Sequence, residues 1–386
     1  MLYYIDYVAL IFASYCLVVS VTNIWFLRRY SNPDADVLLD DDVLVSVLIP
    51  ARNESESIGA CIQSIAGQTY KKLEIIVLDD RSSDNTLEIV QQQVFSDNRI
   101  KVIVGEDSPG GWIGKHWACH QLSKIARGTH FIFVDADTVM QPNAISDALK
   151  LSKQSDSDLV TFIPYRMRSC MSEYLIFPFI DWIIISWLPI LIGRLFKYSF
   201  LSVSFGQFIL LKKQVYFSSG GHKSIKNIPT DDIELGRRVK RAGYKWGLYD
   251  GTKLLETRSY ATDKQAIIGI SRSVFPALNH SVSVLLIFSF ALLILGFYPG
   301  VVLVLETLDH GISLTGKSGI AIITFSMLVG SWLVVTKGLS HHYWATFFYP
   351  ISFLVMIAIA FHSMVLYSMG HAVWKGRSVK VKKIRL

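Results

Sequence analysis

Four stretches of this 386-residue chain are too apolar for an aqueous surface, and they limit its possible folds more than any other feature. Residues 7–27 and 281–304 carry no charged side chain, and residues 318–336 and 345–369 are similarly apolar. Each reaches the roughly 20 residues that span a hydrocarbon core as a helix. The chain is therefore expected to be an integral membrane protein. A cleaved signal peptide is a poor reading of the first stretch, which is long and has no basic residues before it. Arg28 and Arg29 follow it directly, whereas only Asp6 is charged before it. Positive charge on the cytoplasmic side of a span then puts the N-terminus outside and residue 30 onward inside. The tail WKGRSVKVKKIRL is basic too and should be cytoplasmic. One crossing before the large polar region and three after it would instead leave that tail outside. Either one C-terminal segment is re-entrant, broken near Pro299 or Pro350, or the tail departs from the rule.

The expected organisation is a transmembrane helix over residues 1–29, a polar domain over 30–275, transmembrane helices over 276–370 and a basic tail over 371–386. Net charge is +7, from 38 basic and 31 acidic residues. The basic residues accompany membrane segments, which suits contact with anionic headgroups. No nucleic-acid motif is present, so nucleic acid is excluded as a partner. Cys16, Cys61, Cys119 and Cys170 are scattered without CxxC spacing. They read as reduced structural thiols, neither a disulfide frame nor a zinc site.

The polar middle alternates short apolar runs with helical stretches. The runs are VLVSVLIP (43–50), LEIIVLDD (73–80), IKVIVG (100–105), HFIFVDAD (130–137), SDLVTFIP (157–164) and FGQFILLKK (205–213). Such near-continuous runs suit strands buried on both faces. Their alternation with segments such as SDNTLEIVQQQV, which Ser83, Asp84 or Asn85 can cap, predicts an α/β, Rossmann-like, mainly parallel sheet. In such sheets ligands bind beyond the carboxyl ends of the strands. The polar motifs fall there: Pro50-Ala51-Arg52-Asn53-Glu54, Asp79-Asp80 and Asp135-Ala136-Asp137. If the last stretch stays extended, Asp135 and Asp137 point the same way, and two like charges at that spacing need a cation or water between them. No GxGxxG follows the first strand, so a dinucleotide site lacks its phosphate turn. A P-loop is disfavoured as well, because Pro109 and His116 stand where it needs Gly and Ser or Thr. A nucleotide whose diphosphate is neutralised by a divalent cation remains, with Asp135 and Asp137 as oxygen ligands for magnesium or manganese.

Five motifs in order, VSVLIPARNESESI, EIIVLDDRSSDNT, GWIGKHWACHQL, FVDADT and IPTDDIELGRRVKRAGYKW, resemble the family 2 inverting glycosyltransferases of GT-A fold over roughly residues 43–250. GWIGKHWACHQL, LLETRSYATDKQAIIGISRS and the closing WKGR are similar to its membrane-bound bacterial branch, which includes carotenoid and hopene-associated enzymes. The resemblance implies a nucleotide-sugar donor, UDP-linked by the commonest family pattern, and a lipid acceptor taken from the bilayer. Pro50, Arg52, Asn53 and Glu54 would line the nucleotide pocket, and Asp80, with Asp79 behind it, would bind uracil or ribose. Asp79 could equally be a turn residue. Lys115 would meet the diphosphate, unless it is a solvated loop lysine. Asp135 and Asp137 would hold manganese or magnesium, Asp137 the more directly. Asp232 of the Asp231-Asp232 pair would be the general base that takes the acceptor proton, while Asp231 could also serve a helix N-terminus. One in-line displacement would then invert the anomeric centre.

Processive members carry Gln-x-x-Arg-Trp near the membrane. Here Gln265 is followed by Ala-Ile-Ile-Gly, which favours a single transfer. Gly206, Gln207, Gly220 and Gly221 would shape the acceptor side, with turn geometry the plainer account of the glycines. Arg258 or Arg272 could assist at the diphosphate or touch headgroups. Residues 173–196 are apolar and aromatic but contain Asp181 and two prolines, and read as an interfacial segment lying against the bilayer. His341-His342 reads as a solvated loop. A non-catalytic scaffold or export-complex subunit would have lost one of these carboxylates, and all are present. A transporter would need more polar residues in its spans than Asn23 and His362. The expected location is the cell membrane, with the catalytic domain facing the cytoplasm.

Overall fold

Runs of β-branched and aromatic residues form strands when both faces of a sheet are covered, and the computed structural model shows that arrangement. It describes residues 2–40, 42–258, 260–311, 315–371, 373, 374, 377, 378, 384 and 385. The basic tail expected over 371–386 lies mostly outside the described residues. The strands are β1 (Val45–Ala51), β2 (Leu73–Asp79), β3 (Ile100–Val104), β4 (His130–Phe133), β5 (Thr138–Met140), β6 (Leu159–Arg166), β7 (Ile209–Lys212) and β8 (Trp246–Thr257). They make one sheet in the order β3-β2-β1-β4-β7-β6-β8-β5. β1 pairs in parallel with β2 and β4, β2 with β3, and β6 with β8; β7 and β5 run antiparallel to their neighbours. The expected mainly parallel sheet is therefore present, extended by two strands.

Alternate residues of the central strands enter two different cores. Val45, Val47 and Ile49 of β1 and Ile75 and Val77 of β2 face one core with Ile58, Ile62, Val90 and Ile145 from helices. Leu48, Ile76, Leu78, Phe131 and Phe133 face the other. That second core continues without a break into Leu27 of the first apolar helix, Trp332 of the third and Phe353 of the fourth. The sheet is thus fixed to the apolar helices by packing, with no flexible linker between them.

Four helices are long and apolar enough to cross a membrane: Leu2–Tyr30, Val282–His310, Gly316–Gly338 and Tyr349–Ser368. The first and third run in step. Ser14 Oγ donates to Met327 Sδ at 3.1 Å, and a Cβ on Gly338 would lie 2.5 Å from Ile24 Cδ1, so only glycine permits that approach. Tyr298 of the second helix donates to Asp6 of the first at 2.7 Å. Pro299 lies inside the continuous second helix and breaks nothing, whereas Pro350 opens the fourth. Both ends of the fourth helix are tied to the polar middle of the chain. Before it, Ser340 O accepts from Arg168 at 3.1 Å; at its far end Tyr367 Oη donates to Arg272 O at 2.7 Å. Arg385 N then donates to His280 O at 2.9 Å, beside the start of the second helix.

The segment 173–196 leaves the sheet after β6 and returns to β7, its hydrogen-bonded neighbour, so it cannot cross. It differs from an element lying flat on a bilayer. Its helix Glu173–Trp187 is enclosed by the first, third and fourth apolar helices. Buried Trp182 stacks on Trp332 with centroids 5.3 Å apart and donates to Ser331 Oγ at 2.9 Å. Asn23, in the middle of the first apolar helix, serves the break after this helix. Its Nδ2 donates to Ile185 O and Leu188 O at 2.7 Å, and its Oδ1 accepts from Ile190 N at 3.0 Å. The exposed apolar side chains come later, at Leu195, Phe196, Tyr198 and Phe200. His341 is not in a solvated loop. It is buried with Nε2 2.9 Å from Asp181 Oδ2, and Asp181 also pairs with Arg166 of β6 at 2.6 Å. A carboxylate buried this deeply requires partners, and the structure recruits His341 as one of them.

Candidate active site

The loops after β1 and β2 interlock. Arg52 Nη1 donates to the carbonyls of Asp80 and Arg81, the latter at 3.2 Å. Asn53 N donates to Ser82 Oγ at 3.0 Å, Ser83 N to Asn53 Oδ1 at 2.8 Å, and Glu54 N to Thr86 Oγ1 at 2.8 Å. Asn53 and Arg81 both adopt left-handed φ, 52° and 55°, a conformation uncommon outside glycine and held here by these bonds. Asp79 and Asp80 are buried at the end of β2. Asp79 Oδ2 accepts from Ser82 N at 3.1 Å, and its Oδ1 has no hydrogen-bond partner. Asp84, of the three candidate caps, is the one whose carboxylate accepts from Thr86 N.

A second set of groups meets at the ends of β1 and β4. Pro50, Lys115, Asp135, Asp231 and Asp232 line one small cavity with Gly206 and His222. Lys115, on the helix Gly114–Ile125, lies 2.7 Å from Asp135 Oδ1 and 3.5 Å from Asp231 Oδ2. It is no solvated loop lysine. Burial works against its charge, but the two carboxylates more than offset that and raise its pKa well above the ordinary value. Asp231 and Asp232 open the helix Asp231–Arg241. Asp232 Oδ1 accepts from Ile233 N at 2.7 Å and Oδ2 from Gly206 N at 3.1 Å. Burial and the adjacent Asp231 charge push Asp232 up to about 7. Asp231 is buried as well, yet Lys115, His116 and His222 outweigh burial and pull it down to about 2.

Asp135 and Asp137 do not continue β4, which ends at Phe133. A turn closed by Thr138 N donating to Asp135 O at 3.1 Å carries them. Alternation along a strand therefore does not explain their orientation. Asp135 faces Lys115, while Asp137 is half-buried, with a buried Oδ1 that has no hydrogen-bond partner. Burial, then Asp135, then Glu54 push Asp137 up to about 7. An orphaned carboxylate oxygen amid like charges fits a cation. Among the described residues no three His, Cys, Asp or Glu side chains form a ready metal cluster. The protein could supply these two carboxylates, leaving the other positions to a phosphate-bearing ligand and water.

Gln207 follows Gly206 and is half-buried. Gly220 and Gly221 have φ of 87° and 47°, and a Cβ on Gly221 would fall 2.5 Å from the Tyr216 ring. Turn geometry and close packing account for both, and the turn delivers His222 to the cavity. Arg258 is exposed and donates to Ser169 Oγ at 3.1 Å; Arg272 lies on the helix Asp263–Ala277. Neither lines the cavity. Three neighbours complete the surroundings of these carboxylates, and of them sequence reading had placed only Gly206, on the acceptor side. A Cβ on Gly206 would fit only tightly, 3.2 Å from both Asp135 Oδ2 and Lys115 Nζ, and would make them shift. His222 Nδ1 is 3.0 Å from Tyr216 Oη, and burial, with His116 and Lys115, pushes its pKa down to about 3. His116 Nε2 bonds Ile228 O at 2.9 Å. His116 stood inside a quoted motif and His222 directly after the glycine pair, so both were in view without a spacing that marks them. The four cysteines are free thiols, as expected.

Residues 46–216 match the family described as Glycosyl transferase family 2. The chain is 27% identical over 230 residues to 4,4'-diaponeurosporenoate glycosyltransferase of Staphylococcus aureus, covering 58% of each chain. It is 32% identical over 117 residues to Glycosyltransferase GlyG of Streptococcus pneumoniae, covering 30% of this chain and 38% of that one. The match thus spans about half or less of the length of these curated relatives. The structure resembles the mannosyltransferase PcManGT of Pyrobaculum calidifontis, solved with GDP-Man and Mn2+, at a TM-score of 0.55 and 15% identity, over 93% of this chain and 99% of that one. At that identity the likeness speaks for the fold alone.

Proposed function

Because residues 46–216 are a family 2 glycosyltransferase domain of GT-A fold, we propose that this protein moves one sugar from a nucleotide-sugar donor to a membrane lipid with inversion. The observation that carries this reading is the meeting of Lys115, Asp135, Asp231 and Asp232 in one cavity beside Asp137. In this reading the interlocked loops of Arg52–Glu54 and Asp79–Asp80 cradle the nucleoside. Lys115 leaves its two carboxylates to face the diphosphate. Asp135 and Asp137 would hold a divalent cation, which supplies positive charge for the departing diphosphate. Asp232, fixed by two backbone amides, takes the acceptor proton, and Asp231 keeps Lys115 in place.

A lipid acceptor is supported by the apolar helices packed against the domain and by the exposed side chains from Leu195 to Phe200. The carotenoid-acid glycosyltransferases among the relatives fit the same reading. With the N-terminus outside, the first three apolar helices cross, and the fourth, tied to the domain at both ends, does not. Arg28, Arg29 and the basic tail then all face the cytoplasm, which removes the conflict in the positive-inside rule.

The test uses the full chain purified in detergent with UDP-glucose, GDP-mannose or other nucleotide sugars, manganese or magnesium, and a total lipid extract. Mass spectrometry should find one lipid gaining a single hexose with wild type, none with Asp232→Asn, and none after EDTA. If no nucleotide sugar is bound or consumed with any lipid, the proposal fails.

A further inference from the structure

A second cavity, of about 320 Å³, opens where the helix Asp231–Arg241 faces the turn that leads into the second apolar helix. Its wall holds Arg237, Arg238 and Arg241 from the helix, His280 from the turn, Arg385 from the tail, and, among the described residues, a single carboxylate, Glu234. Positions 234, 237, 238 and 241 share one helical face, so the three helix guanidiniums converge. Glu234 Oε1 lies 2.6 Å from Arg241 Nη1 and 3.3 Å from Arg238 Nε. Arg237 and Arg385 make no ion pair among the described residues, and the buried Nε of Arg237 has no hydrogen-bond partner. One carboxylate among four guanidiniums leaves an excess of positive charge at close quarters, which an entering anion relieves.

The backbone around the cavity is built to hold this arrangement. Asn279 and His280 both have left-handed φ, 57° and 56°. Arg385 is fastened into the wall by its N donating to His280 O at 2.9 Å and its O accepting from Val282 N at 3.0 Å. Strained non-glycine backbone fixed by a distant segment marks a position worth a functional question. The apolar run begins at Val282, so the cavity lies at the depth of lipid phosphates, just outside the hydrocarbon. Guanidinium forks match phosphate oxygens in pairs.

We propose that this cavity is a phosphate-anion site, filled by the phosphodiester of an anionic membrane phospholipid or by free inorganic phosphate. It is separate from the donor cavity and needs no sugar transfer. The full chain in detergent would be titrated with phosphatidylglycerol, phosphatidylcholine and inorganic phosphate, following binding by native mass spectrometry and by thermal shift. Wild type should bind phosphatidylglycerol or phosphate. Saturation by phosphatidylglycerol alone assigns the headgroup, and by inorganic phosphate the free anion. The double variant Arg237→Gln, Arg241→Gln should lose about tenfold in affinity, roughly what one charge-assisted hydrogen bond contributes. Glu234→Gln, which removes the competing carboxylate, should bind more tightly than wild type, so the test stands even if the double variant unfolds. If neither phosphatidylglycerol nor phosphate binds, or if Glu234→Gln leaves binding unchanged or weaker, the proposal is wrong. No nucleotide sugar is present in these titrations and no transfer is read, so their failure is distinct from failure of the transferase reading.

Discussion

Asp231 and Asp232 are adjacent in the chain and opposite in acidity. Lys115 and two histidines surround the first, whereas the second has burial and its neighbour's negative charge. A base must be ionised to accept a proton, so kcat/KM for transfer should be low in mild acid and rise with pH through about 7. Asp232→Asn should lower kcat by about 10²–10⁴, the usual worth of a general base. Asp231→Asn removes the charge that holds Asp232 up, so the rising limb should move to lower pH. A pH–rate profile of that variant with an unmoved limb would contradict the coupling. Gly206→Ala offers an independent check. Its added Cβ intrudes on Asp135 and Lys115, so activity should fall at least tenfold while the melting temperature stays within a few degrees. Asp79, Asp80, Asp135 and Asp137 were legible in the sequence as carboxylates at strand ends, and Asp231 and Asp232 through a motif resemblance. Their acidities were not, since a pKa depends on neighbours such as His222, which lies nine positions before Asp231 and signals nothing by that spacing.

Among the elements, the helix Glu173–Trp187 illustrates a local signal that underdetermines packing. Its composition suits a membrane surface, yet it is buried in the bundle and carries the salt-bridged Asp181. Asp181→Ala should cost about 3–5 kcal/mol by stranding Arg166 without a counter-charge, measured as a lowered melting temperature in detergent. Replacing both partners, Arg166→Met with Asp181→Leu, should cost less than the single change; an equal or greater loss would show that the pair does more than neutralise itself. β8 shows the converse failure. Trp246–Thr257 contains Gly247, Asp250, Gly251 and Lys253, so it lacks the apolar run that announced the other strands. It belongs to the sheet because β6 offers a parallel partner, and because Gly251 lets Phe162 approach, where a Cβ would sit 2.5 Å away.

At the scale of the whole molecule, the fourth apolar helix is the informative piece. By length and hydropathy it matches the other three. Its contacts return both ends to the side of the catalytic domain. Cysteine labelling in sealed, oriented vesicles tests this, in a Cys170→Ser background with the other native thiols buried. Lys101→Cys in the sheet domain and His371→Cys after the fourth helix should react from the same face, and Asp309→Cys in the last turn of the second helix from the opposite one. Labelling of His371→Cys together with Asp309→Cys would mean that the fourth helix crosses.

The sequence by itself determined that four stretches are long and apolar enough to cross a membrane, that its polar middle is a largely parallel α/β sheet, and that carboxylates gather at the strand ends. These follow from hydropathy and periodicity, which are local properties summed over a segment. Only the tertiary structure decided that Asn23 completes the break after residue 187, that His341 sustains Asp181, and that Arg168 and Arg272 are bonded near the two ends of the fourth apolar helix. Each of these rests on contacts between residues more than ninety positions apart. A buried polar group or a membrane-length helix states its need for a partner, but which partner meets that need depends on what the rest of the fold brings within reach.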